Sequence, residues 1–152
     1  MIMDERLEFA DATALDTSGT NSDLIGDVID LGSVTSDVGN GQPIYLVLRV
    51  NAAVTSGGSA TVVFTLASDA QAAIAVDGTQ TTHFSTAAIA LSGLTANSQQ
   101  IMIALPIATY ERYLGIVTTT ATAALTGGTI DAYLTYDPKG WVAYPDATNY
   151  AS

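Results

Sequence analysis

The chain has 152 residues, enough for one domain with its own hydrophobic core. Charged residues make up only 12%, and fifteen acids against four bases give a net charge of −11; four cations cannot neutralise a phosphate backbone or hold an anionic bilayer, which excludes nucleic acid and membrane surfaces as partners. Cysteine is absent, so disulfides, zinc-thiolate sites and cysteine nucleophiles are excluded together.

The first residues, Met1-Ile2-Met3-Asp4-Glu5-Arg6, place acids where an export signal needs bases, and no apolar run reaches the length of a membrane span. Synthesis in the cytoplasm is the expectation. Nine of the fifteen acids fall within the first 37 residues, with Arg6 as the one base among them. Residues 1–26 read as an arm or lead-in, with a short helical turn or strand around Leu7-Glu8-Phe9. Leu7, Phe9 and Leu15 are apolar positions on this acidic segment, and are candidate protein-interface residues; the competing reading makes the segment the first strand of the body.

Residues 27–152 read as a single β domain. Val28-Ile29-Asp30-Leu31 gives the first strand signal. Ile44 to Val50 is apolar on both faces, as in a central strand. Ala60 to Ala67 alternates Val62, Phe64 and Leu66 against Thr61, Val63 and Thr65, the period of two that a half-buried strand shows. Further strands are predicted at Ile74–Val76, Thr81–Leu91, Gln100–Leu105, Tyr113–Thr122 and Thr129–Tyr136. Turns are predicted at Thr55-Ser56-Gly57-Gly58-Ser59 and Thr126-Gly127-Gly128-Thr129, where glycine tolerates positive φ. About eight short strands without helical periodicity predict an all-β, jelly-roll-like β-sandwich or barrel with an extended N-terminal arm.

The aromatic C-terminal tail after Asp137-Pro138 carries Trp141, Tyr144 and Tyr150. These three either close one end of the sandwich or anchor a protein interface, and they join the candidate interface residues. Arg112 follows Glu111 directly, so on an extended chain the two side chains point to opposite faces. Arg112 is therefore expected to be structural, with its planar fork on another carboxylate or on loop carbonyls.

No catalytic constellation is legible. His83 is the one histidine, no Gly-x-Ser-x-Gly elbow accompanies it, and a surface or edge position suits it better than general-base work. Asp27-x-x-Asp30 with Asp23 nearby offers oxygen ligands, but no calcium-loop pattern surrounds them. Neither a metal nor a cofactor is expected, and the chain reads as a structural protein and not an enzyme.

Several strings, in order, resemble one family. Met1 to Ala12, Val28-Ile29-Asp30-Leu31-Gly32, Gly39-Asn40-Gly41-Gln42-Pro43-Ile44-Tyr45-Leu46-Val47, and Leu105-Pro106 followed by Glu111-Arg112-Tyr113-Leu114 are similar to blocks of the capsid cement (decoration) proteins of short-tailed phages of the Bordetella-phage type. Ser68 to Asn97 matches only in its Ala/Ser/Thr character. The resemblance implies a jelly-roll-like domain on the outer capsid surface of the virion, bound to the major capsid protein and stapling neighbouring subunits. It also implies self-association, with a homodimer ahead of a trimer. Two other readings stay open: a different virion or adhesin interaction module, as in a tail or fibre, and a carbohydrate-binding jelly roll.

Overall fold

The computed structural model describes residues 5–32, 36–38 and 41–138. Eleven strands occur among them: β1 (Glu8–Ala14), β2 (Ser22–Asp30), β3 (Ser36–Val38), β4 (Tyr45–Ser56), β5 (Thr61–Asp69), β6 (Thr81–Ser85), β7 (Ile89–Ala90), β8 (Gln99–Ala104), β9 (Ala108–Tyr110), β10 (Tyr113–Ala121) and β11 (Leu125–Thr135). Helical structure among the described residues is confined to short 3-10 turns such as Glu5–Leu7 and Leu91–Gly93.

The strands form two antiparallel sheets. One is four-stranded, ordered β1-β11-β4-β8; the other is five-stranded, ordered β2-β10-β5-β6 with β7 also on β5. The short pair β3–β9 forms a separate ribbon. Setting aside β3, β7 and β9, which have three residues or fewer, leaves eight strands. Counted among themselves, those eight run 1-8-3-6 in one sheet and 2-7-4-5 in the other. That order is the double Greek key of a jelly roll, so the chain folds as a jelly-roll β-sandwich.

Alternation explains the core. Leu46, Leu48 and Val50 of β4 oppose Leu134, Ala132 and Ile130 of β11, and all six point between the sheets. Val62, Phe64 and Leu66 of β5, with Leu114 and Ile116 of β10, close the core from the other sheet. Burying a side chain of this size contributes about 1.5–3 kcal/mol each before the cost of ordering it.

The N-terminal reading needs correction. Of the segment read as an arm, the described residues 5–26 belong to the sandwich: β1 pairs with β11 at the edge of the four-stranded sheet, and β2 begins at Ser22. Phe9 and Leu15 are 1% and 3% exposed within this chain's own core, and Leu7 is half-buried against it, so none of the three is a free interface anchor. The Leu15 N–H donates to the Gly128 carbonyl at 3.0 Å, which fixes the end of the strand. β1 covers the outer edge of β11, and the burial of Phe9 accompanies that pairing.

Three local expectations also change. Thr126 to Thr129 is not a turn; it lies inside β11, where shifts of register against β4 accommodate the two glycines. Gly128 has φ +136, and a Cβ there would lie 2.8 Å from Val54 Cα, so the bulge needs glycine. Ile74 to Val76 is a loop and not a strand. The Asp69 carboxylate accepts the N–H groups of Gln71 and Ala75 at 3.1 and 3.0 Å, and Ile74 folds onto the outer face of the five-stranded sheet beside Ala67 and Val117. Gly115 leaves the space it occupies, since a Cβ there would stand 2.7 Å from the Ile74 Cδ1. Thr81 to Leu91 is split into β6, β7 and the start of a 3-10 turn.

Candidate interaction surfaces

His83 sits where β6 slips register against β5, between the pairs Leu66–Phe84 and Ala67–Thr82. A bulge at this point re-aims the side chain. The ring stacks on Tyr110 with centroids 3.7 Å apart and planes 15° from parallel, and its Nε2 lies 2.7 Å from the Ser68 hydroxyl. The Ser68 oxygen also accepts the Glu111 N–H at 3.0 Å, while Thr81 donates to the Glu111 carboxylate at 2.6 Å. Ser68 is wholly buried, so its hydroxyl is a tie between β5, β6 and the corner before β10. The Tyr110 hydroxyl, donating to the Pro106 carbonyl at 2.9 Å, is pushed up to about 12 by burial.

This tie depends on proton position. With Nε2 bare, Ser68 donates to the ring while accepting from Glu111. A protonated ring brings a second donor to the same oxygen and turns the serine proton away. Burial lowers the His83 pKa from 6.5, with the negative charge of Glu111 opposing the shift. Because the folded value is depressed, the stability the neutral ring contributes is complete above pH 6.5 and is lost as pH falls through the folded value. Thermal melts from pH 7.5 downward should show the wild type losing stability below pH 6.5 more steeply than His83→Gln. Parallel curves would remove His83 from the tie.

Arg112 forks onto Asp30: its Nε and Nη2 donate to the two carboxylate oxygens at 2.9 and 2.8 Å. The guanidinium also lies 4.8 Å from the centre of the Tyr113 ring. The Leu31 N–H donates to the Arg112 carbonyl at 2.8 Å, so the pair fastens the end of β2 to the start of β10. The Arg112 hydrogen bonds, followed by that from the Gly32 N–H, hold Asp30 down at about 2. Both side chains are nearly half exposed, and such pairs order local geometry more than they stabilise the whole fold. With both Asp30 oxygens engaged by Arg112, Asp27-x-x-Asp30 is not a ready calcium pair. Among the described residues no group of three histidines or acids is placed to hold a metal ion.

Near the start of β2, the Asp16 carboxylate accepts from Ser18 and Asn21 and is held down at about 2. Asp23 beside it is raised, by burial first and by the Asp16 charge second.

The surface is electrically lopsided. Where β1, the edge of one sheet, meets β2, the edge of the other, a shallow groove is lined by Glu8, Asp11 and Asp27 and continues past Arg6 to Asp30. Opposite in character is the stretch from Gly78 to Tyr110, which includes β6 to β9 and contains no Asp, Glu, Lys or Arg. Two large apolar side chains are exposed on that neutral stretch, Met102 in β8 at 46% and Ile107 before β9 at 79%, and Tyr136 is exposed just past β11. The sequence marks Gln100–Leu105 as a strand, but only sheet order shows that β8 is an edge. Trp141, Tyr144 and Tyr150 lie outside the described residues.

The family model Bbp16 matches residues 9–134. The match begins at Phe9 in β1 and ends at Leu134 in β11, the neighbouring strands that open and close the jelly roll. No curated protein matches the chain. The chain belongs to the Bbp16 family, a Bordetella phage protein family.

Proposed function

We propose that this Bbp16-family chain is a capsid cement protein that binds the outside of a phage capsid and staples neighbouring major-capsid subunits. The observation that carries this reading is the coincidence of family match and fold. The Bbp16 model covers the jelly roll from its first strand to its last, so what the phage family shares is the whole binding body and not an appended motif. The charge pattern supports it. A sandwich with an acidic groove between β1 and β2 suits a basic partner, and the charges set encounter rate and register.

Co-sedimentation decides between the virion readings. Purified protein mixed with capsids from the encoding phage, prepared without this chain, should pellet with the shells and saturate at a fixed ratio to the major capsid protein. Pelleting with tails in place of capsids, or with neither, overturns the proposal. Raising salt should slow capture by screening the acidic groove, while dissociation of protein already bound changes less.

A further inference from the structure

Side chains that point away from a sandwich core ordinarily meet water. The outer face of the four-stranded sheet departs from this near one end. Alternation places Tyr133 of β11, between the core residues Ala132 and Leu134, on that outer face. Val47 of β4, between Leu46 and Leu48, lies beside it. Register aligns Glu8, Tyr133, Val47 and Met102 in one row across β1, β11, β4 and β8. Tyr133 and Val47 are 2% and 1% exposed, as deep as the core, whereas Met102 at the edge is 46% exposed. Thr135, the next outward residue of β11, is buried as well. Burial pushes the Tyr133 hydroxyl up to about 12.

Neighbours within a sheet shield the flanks of a side chain and not its outer surface, so a tyrosine this deep has a layer above it. The layer is local. Two residues back along β11, the pair Asp131–Arg49 is partly exposed, and Asn51 beyond it is exposed. Exposure thus grows with distance from Thr135, where β11 stops. The N-terminal turn does not supply the layer, since Arg6 is exposed and Leu7 packs against the core between the sheets. The chain leaving β11 bends the right way. The Thr135 hydroxyl, on the outer face, accepts the Asp137 N–H at 3.2 Å and draws the backbone toward that face. Pro138 then keeps the chain from continuing the ladder.

We propose that the outer face of the four-stranded sheet, at Tyr133, Val47 and Thr135, is the docking site of this chain's own C-terminal segment, residues 139–152, with Trp141 as the anchor. Reach and chemistry select this occupant. A reversal centred on Asp137 sets Trp141 level with Tyr133, because the two are equally far from it along the chain. The segment brings Trp141, Val142, Tyr144 and Tyr150, with Lys139 and Asp146 as its charged side chains. Its apolar area matches a face whose centre is a tyrosine and a valine. The family match ends at Leu134, so the proposal rests on residues past the shared body and goes beyond the cement reading. A face closed in this way is withdrawn from other partners, and the β1–β2 groove stays open to them.

Trp141 is the one tryptophan of the chain, so its fluorescence reports on the segment directly. In the intact protein its emission should be blue-shifted and shielded from acrylamide relative to the urea-unfolded chain, equally at every protein concentration. Tyr133→Ala removes the platform and should shift the emission to the red and restore most of the quenching, while circular dichroism keeps its β spectrum. Met102→Ala, on the same row but outside the layer, should change neither. If Tyr133→Ala does not fold, Val47→Lys decides, because an open sheet face tolerates a lysine and an apolar layer above it does not. Emission in the intact protein as red and as quenchable as in urea overturns the proposal, and so does shielding that survives Tyr133→Ala or Val47→Lys. Shielding that fades on dilution overturns it too, because the layer then comes from another copy.

Discussion

Deleting residues 1–16 should abolish cooperative folding, not release a dispensable arm. The deletion removes β1 from the edge of its sheet, strips the outer edge of β11 and takes Phe9 and Leu15 out of the core. Truncating a buried Phe costs about 3–5 kcal/mol and a buried Leu about 2–5, against a total stability of roughly 5–15 kcal/mol for a domain. The two losses, with the lost ladder, consume most of that margin. The milder Phe9→Ala isolates the packing term and should lower the melting temperature by roughly 6–20 °C, since each kcal/mol shifts a domain of this size by about 2–4 °C. A truncated chain that melts as the full one does would return Leu7, Phe9 and Leu15 to the surface and restore the arm.

The second large effect is expected at Gly26, where β2 passes over β1. A Cβ built there would lie 1.9 Å from the Phe9 carbonyl oxygen, and the backbone stands at φ +68. The contact is with main chain, so no side-chain rotation relieves it. Gly26→Ala must push β1 away from β2 and also hold an L-residue in the left-handed region, which alone costs about 1–2 kcal/mol. We expect a total loss of at least about 3 kcal/mol, or roughly 6–12 °C in melting temperature. Gly19→Ala is the control, because nothing lies within 4 Å of its added carbon. If both alanines melt alike, the close crossing of β1 and β2 is wrong.

These two sites also show where sequence reasoning stopped. β5 and the second half of β11 were legible because apolar residues alternate with others as the pleat demands, and β4 and β10 because their runs are apolar or β-branched on both faces. β1 was not. Glu8-Phe9-Ala10-Asp11-Ala12-Thr13-Ala14 carries two acids and three alanines, residues that disfavour strands in isolation, and it becomes a strand because β11 offers a ladder and the core offers Phe9 a place. Ile74 misled in the opposite sense. Its apolar neighbours suggested a strand, but its site is a recess created by Gly115, forty-one positions on, which no local pattern reports. The same holds for His83. Its residue type could be weighed from sequence, but its stack on Tyr110 and its tie to Ser68 are properties of sheet register. Acidity concentrated near the N-terminus was legible as charge; that it lines a groove between two sheet edges required the fold.

The Bbp16 match gives the chain a phage setting, and the proposed role within the virion rests on placing this sandwich on a shell. Electron cryo-microscopy of capsids incubated with the protein tests that placement most directly. The cement reading predicts density for a two-sheet sandwich on the outer surface, at the junctions between neighbouring major-capsid subunits, with the β1–β2 groove turned toward the shell. Bare shells at saturating protein, or density seated within single subunits and bridging none, would contradict it.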